Sequence, residues 1–136
     1  MNTLVVFHSY SGSTKSIAEK FAADNSFDIA EVKEMKRPGK LKAYTSGIFA
    51  SLKGKPWPIK TPNADFEKYE RLVLYSPVWA GNPTPAFNAV LGLLPQGKSI
   101  DVKMVSKSGK SDCMARVEAA INAKGSTLEG FENIKS

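Results

Sequence analysis

Short apolar runs alternate along this chain with stretches of helical period. Leu4, Val5, Val6 and Phe7 form a β-rich apolar run bounded by polar residues, the pattern of a strand buried on both faces. Ile17, Ala18, Phe21 and Ala22 then fall on one helical face. Residues 28–32 predict a second strand, with Ile29 and Val32 its apolar members. Arg37, Pro38 and Gly39 punctuate the chain. After them Leu41, Tyr44, Ile48 and Leu52 predict a second helix, which Gly47 weakens. Residues 54–62 carry three prolines and read as a loop. Residues 72–75 predict a third strand and 76–85 a Pro/Gly/Asn loop. Phe87, Val90, Leu91 and Leu94 have the spacing of an amphipathic helix. Residues 102–105 predict a fourth strand and 106–112 a polar loop. Met114, Val117, Ala120 and Ile121 mark a further helix that Gly125 stops. Residues 127–131 give a weak signal for a fifth strand.

Strand and helix thus alternate as βαβαβαβαβ, which predicts a parallel sheet with helices on both faces. Ligands on such sheets sit at the carboxyl ends of the strands, near the switch in strand order. A chain of 136 residues is expected to form a single domain, 1–136, with a core that needs no covalent staples.

Composition narrows the chemistry. Cys113 is the one cysteine and His8 the one histidine, so a disulfide framework and thiolate- or His-rich metal sites are not expected. No charged-then-apolar leader opens the chain and no apolar run approaches a membrane span, so a cytoplasmic protein without membrane contact is expected. The net charge of +6 is concentrated: residues 33–60 hold eight basic side chains against Glu34 alone. Such a run is a solvated face, or it meets an acidic partner, a phosphate-bearing ligand or nucleic acid. Nucleic acid is the weakest of these, because no base-reading motif is present.

Residues 9–14, between the first strand and first helix, read Ser9, Tyr10, Ser11, Gly12, Ser13, Thr14. Four hydroxyls, a flexible glycine and the free N–H groups of a helix start suit a phosphate dianion held by neutral donors. Capping alone would need one hydroxyl.

This segment, with Phe7 and His8 before it, resembles the flavodoxin phosphate loop, Ser/Thr-x-Ser/Thr-Gly-x-Thr. A second segment, Ser76, Pro77, Val78, Trp79, Ala80, Gly81, Asn82, Pro83, resembles the loop that flanks the isoalloxazine ring, most closely in small bacterial flavodoxin-like FMN-binding proteins. The resemblance implies a doubly wound five-stranded parallel sheet of order 2-1-3-4-5. It also implies FMN as cofactor. Ser9, Tyr10 (backbone), Ser11, Gly12, Ser13 and Thr14 would hold the phosphate, and Pro77, Val78, Trp79, Ala80 and Gly81 would flank the ring, with Trp79 stacking on it. Ser106, Lys107, Ser108 and Gly109 would close the pyrimidine side. That third loop departs from electron-carrier flavodoxins: it has no aromatic to complete a sandwich, and it brings Lys107 and Lys110. Flavin chemistry needs no protein acid or base, so no catalytic residue is assigned. The implied function is an FMN-dependent redox protein, either a shuttle or an oxidoreductase of quinone-reductase type. Its partner would be a redox protein or a small-molecule acceptor. The alternative is a flavodoxin-fold binding module without flavin that acts through its basic segment.

Charge bears on the redox step. A positive charge ~4 Å from the flavin is worth roughly 4 kcal/mol at an effective dielectric of 20. A basic chain should therefore reach the anionic hydroquinone more readily than an acidic flavodoxin does.

Three other motifs fail on context. Residues 92–99 match the Walker A pattern but follow a helix and open a strand, the reverse of a phosphate loop. Cys113 lacks an arginine six positions on, where Ala119 stands, which rejects the low-molecular-weight tyrosine phosphatases. Receiver domains need an acidic cluster where His8 and Ser9 stand, so His8 reads as structural.

Flavodoxins end in a helix after the fifth strand, and only five residues follow Phe131 here, so that helix is expected to be absent. Right-handed winding would put it on the face of helix one. An uncovered apolar patch there would call for a homodimer or a docked partner.

Overall fold

The computed structural model describes residues 2–36 and 39–136; Arg37 and Pro38 of the expected break, and the side chain of Tyr44, lie outside that description. Strand β1 (Thr3–His8) is central and buried at every position. It pairs in parallel with β2 (Asp28–Val32) and β3 (Arg71–Trp79). β3 pairs in parallel with β5 (Ser99–Ser106), and β5 with β6 (Thr127–Lys135). The short β4 (Asn82–Pro83) folds back antiparallel on β3. The parallel strands lie in the order β2-β1-β3-β5-β6, the 2-1-3-4-5 arrangement once β4 is set aside.

Period-2 alternation splits the core into two layers. Leu4, Val6, Leu72, Leu74, Ile100, Val102 and Met104 face α4 (Pro85–Gly92) and α5 (Met114–Ala123), meeting Phe87, Val90, Leu91, Val117 and Ile121. Val5, Phe7, Val73, Tyr75 and Val105 face α1 (Ser13–Asn25), meeting Ala18 and Ala22. Each of the Val, Leu, Ile, Phe and Met side chains among these contributes about 1.5–3 kcal/mol when fully buried.

Three elements differ from expectation. The residues after Tyr75 do not form a loop at once, because β3 continues to Trp79 and then turns into β4. The second helix is compound: α2 (Lys40–Lys42), a π-helical turn (Ala43–Gly47) and α3 (Ile48–Lys53). Its expected apolar face is not the buried one. Leu41 is 78% and Leu52 48% exposed, while Ala43, Ala50 and Ser51 are buried. Finally, β6 is longer than predicted and carries a bulge. Ile100 pairs with Leu128 and Asp101 with Gly130, which leaves Glu129 as the extra residue.

On the α1 side of the sheet, β5 and β6 carry paired charges beside the buried Val105 and its neighbour Ile134. The Arg71 guanidinium binds the Asp101 carboxylate there, and Lys103 Nζ lies 2.6 Å from Glu132 Oε1 and over the Phe21 ring. A Cβ on Gly130 would stand 2.8 Å from Asp101 Oδ1, so glycine makes room for that ion pair. The part of this face over Asp101 and Lys103, where an apolar patch was expected, is thus occupied by ion pairs. Among the described residues, no helix is long and apolar enough to cross a membrane.

Candidate functional site

The turn between β1 and α1 lies at the carboxyl end of the central strand. Ser9 is buried, and its Oγ accepts the Gly12 N–H at 3.1 Å. Gly12 occupies the N-cap at φ 103°, with no side-chain cap bond and no acidic residue in the first turn of α1. A helix start normally takes a Ser, Thr, Asp or Asn cap on its free N–H groups. Here those donors and the positive end of the helix dipole are left for another anion. Ser11 and Ser13 are exposed beside this end, and Thr14 is buried beneath it.

Trp79 ends β3, and the chain reverses through Ala80 (φ 52°) and Gly81 (φ 80°) to pair Trp79 with Asn82. Two successive positive φ angles in a two-residue connection make a type I′ hairpin. Gly81 adopts that conformation freely, whereas Ala80 does so at a cost of roughly 1 kcal/mol. The hairpin presents the half-buried Trp79 indole to the first loop. The Tyr10 ring meets it edge-on with centroids 5.6 Å apart, and Trp57 meets it edge-on at 6.3 Å. From the helical side, a Cβ on Gly47 would come within 2.6 Å of Trp79 Cζ3. The ring is thus held between loop one and the 40–53 helix. A cavity of about 320 Å³ opens beside it, lined by Tyr10, Lys40, Ala43, Ile48, Val78, Trp79 and Ala80. A larger, mainly apolar cavity of about 600 Å³ lies between Pro56, Trp57, Ile59, Pro62 and Leu93, without the hydroxyl loop.

The structure therefore joins the first two predicted loops through Tyr10 and Trp79. The third stands apart from that cavity. Ser106 Oγ accepts the Gly109 N–H at 3.0 Å and the Lys110 N–H at 3.3 Å, and Ser106 O accepts the Ser136 N–H at 2.8 Å. Lys107 and Ser108 are exposed, Gly109 turns at φ 69°, and none of Ser106, Lys107, Ser108 and Gly109 lines the cavity beside Trp79. Of the second loop, Pro77 O accepts the Ser76 hydroxyl at 2.8 Å, and Gly81 O accepts the Asp112 N–H at 2.8 Å. Lys98 of the Walker-like segment instead donates to Glu67 O at 2.9 Å, a structural tie.

A buried polar network supports the first two loops from below. His8 Nε2 lies 3.2 Å from Glu34 Oε1, with both side chains only 1% exposed. His8 Nδ1 lies 2.7 Å from Thr84 Oγ1, which also accepts the Phe87 N–H and so caps α4. The Thr84 N–H donates to the buried Ser76 Oγ at 3.3 Å. The ends of β1 and β3, the segment after β2 and the start of α4 are tied together beneath the site. Sequence reading missed Glu34 and Thr84, though each left a signal: Glu34 is the lone acid in a basic run, and Thr84 precedes Pro85 as an N-cap precedes N1. Lys40, Ala43 and Ile48 left none, because only the packing of the helix against Trp79 brings them to the cavity. Cys113 is fully buried, and burial is the largest influence raising its pKa above the usual thiol value, which does not suit a nucleophile.

No protein-family model matches the sequence, and no curated protein sequence matches it. Solved structures do resemble it. The flavoprotein of Lactobacillus acidophilus NCFM, solved in complex with FMN, aligns over 96% of this chain and 91% of its own, at 21% identity and a TM-score of 0.71. The apo-form of that flavoprotein aligns with the same TM-score of 0.71. Oxidised flavodoxin 1 of Bacillus cereus aligns over 98% of this chain and 85% of its own, at 18% identity and a TM-score of 0.56. The fold is flavodoxin-like.

Proposed function

We propose that this protein binds FMN and transfers electrons through it. The observation that carries this reading is the uncapped start of α1, ringed by Ser9, Ser11, Ser13 and Thr14 and joined through Tyr10 to Trp79. The donor set fits the group. Hydroxyls and main-chain N–H groups suit the phosphate, and the aromatic wall with its apolar neighbours Ala43, Ile48 and Val78 suits a flat ring. The flavin, when bound, supplies the one- and two-electron chemistry. The chain's own work is to anchor the phosphate, set the ring against Trp79 and set the local charge. Ser106, Lys107, Ser108 and Gly109 complete the site from the β5 side in this reading, and the lysines there favour an anionic reduced ring. The same charge suits two-electron turnover of the quinone-reductase type as well as shuttling.

The test is a titration of the flavin-free protein with FMN. Quenching of FMN fluorescence with a Kd of about 1 μM or tighter supports the reading. Trp79→Ala should then weaken binding roughly tenfold, the upper value of an aromatic contact. Absence of quenching at about 50 μM FMN, some fiftyfold above that Kd, would overturn it.

A further inference from the structure

The 40–53 helix is built inside out. Its buried positions, among the described side chains, are small: Ala43, Gly47, Ala50 and Ser51. Among its described side chains, three large apolar ones face solvent, with Leu41 78%, Phe49 58% and Leu52 48% exposed, while Ile48 is half-buried toward the cavity beside Trp79. Residues 41, 45, 49 and 52 recur at helical spacing and form one stripe. Beside that stripe stands the exposed Lys53, its Nζ over the Phe49 ring at 5.6 Å, while the exposed Lys42 places its Nζ 5.6 Å from the Trp57 ring centroid. No acidic residue occurs anywhere from residue 35 to residue 64. Core packing does not explain this arrangement, since the helix already seats its small side against Trp79 and Trp57 at Gly47. Solubility does not call for it either, since lysines alone would serve.

We propose that the outer face of this helix docks an acidic redox protein, with Leu41, Phe49 and Leu52 entering an apolar groove and Lys53 meeting carboxylates at its rim. The mode is a helix laid into a groove, with charge setting encounter rate and register. Position favours a redox protein over a lipid surface. The face backs onto Trp79 across the thickness of one helix, about 10 Å, so a partner docked there lies within electron-transfer reach of the proposed flavin. A bilayer would gain nothing from that proximity. The inference rests on the flavin reading of the preceding subsection for its electron-transfer role.

The test measures association and FMN binding separately. The probe is an acidic [2Fe–2S] ferredoxin, titrated into the FMN-loaded protein at low salt and followed by calorimetry. Association that weakens with added salt, and that falls about tenfold or more in both L41S/F49S and K53E with FMN affinity unchanged, is the expected result. Absence of association at low salt, or association indifferent to both variants, would overturn the proposal. Sedimentation with equimolar phosphatidylserine–phosphatidylcholine vesicles, abolished by L41S/F49S, would assign the face to a membrane and also overturn it. Failure of the flavin reading looks different: FMN would not bind, while ferredoxin association would keep its dependence on Leu41, Phe49 and Lys53.

Discussion

At the scale of single residues, this molecule places strain and burial around one aromatic ring. Ala80 holds a left-handed conformation at the hairpin tip that carries Trp79. Ala80→Gly should raise stability by roughly 1 kcal/mol, read as a higher urea midpoint with an unchanged slope. An unchanged midpoint would mean that the turn is relaxed in solution. Tyr75, buried under α1, has its phenol pushed up to about 12, first by burial and then by the charge of Glu132. An unfolded tyrosine titrates near 10. Between pH ~10 and ~12 the folded state therefore keeps a proton that the unfolded chain releases, so stability is whole below ~10 and declines as pH rises through that window. The expected loss is of order 2 kcal/mol. Tyr75→Phe should remove this part of the alkaline decline and leave the neutral-pH stability little changed.

At the scale of elements, the 40–53 helix and the Trp79 hairpin depend on each other through one missing side chain. Gly47→Ala gains about 1 kcal/mol of helix propensity. It also forces a methyl carbon to within 2.6 Å of Trp79 Cζ3. Overpacking of this kind costs about 1–3 kcal/mol, and the rigid ring cannot yield as a flexible side chain would. We expect a net loss of stability together with a changed near-ultraviolet circular dichroism signal from the indole. The same pair of elements marks the limit of sequence reading. α1 and α4 were legible because their buried positions repeat near 3.6, and β1 because it is a continuous apolar run. β2 and α5 were legible as elements, although Ile29 and Met114, expected among their apolar members, are exposed and Ala30 and Cys113 are buried instead. The compound helix was legible as a helix, but its inner face was misassigned, because periodicity weighs hydrophobicity and this helix buries small residues. β6 gave a weak signal because its bulge breaks the alternation: Leu128 and Phe131 share a face at a spacing of three. The hydroxyl loop and Trp79 were legible one by one, whereas their meeting through Tyr10 is a tertiary fact.

At the scale of the whole molecule, charge is the distinguishing property. A net +6, with residues 33–60 contributing +7, surrounds the proposed ring with a positive field. Lys107→Glu with Lys110→Glu should lower the semiquinone/hydroquinone potential by roughly tens of millivolts, as expected for screened charges at such range. A potentiometric titration that shows no shift would remove these lysines from any role in tuning the flavin. The paired charges on the open face of β5 and β6 are a separate matter. They make the Asp101 and Lys103 part of that face polar, beside the apolar Val105 and Ile134.

The bulge at Glu129 has a consequence for how copies of this protein behave in concentrated solution. β6 is an outer strand, and its free N–H and C=O groups offer a template to any neighbouring chain. An extra residue twists such an edge away from a regular ladder, and Glu129, Glu132 and Lys135 charge it. Deleting Glu129 would bring Leu128 and Gly130 into consecutive register with β5, keep Phe131 on its present face and straighten the border. The shortened chain should fold as before and yet aggregate edge to edge, seen as rising light scattering at concentrations where the parent stays clear. A deletion that scatters no more than the parent would show that the charges alone keep the border from recruiting its neighbours.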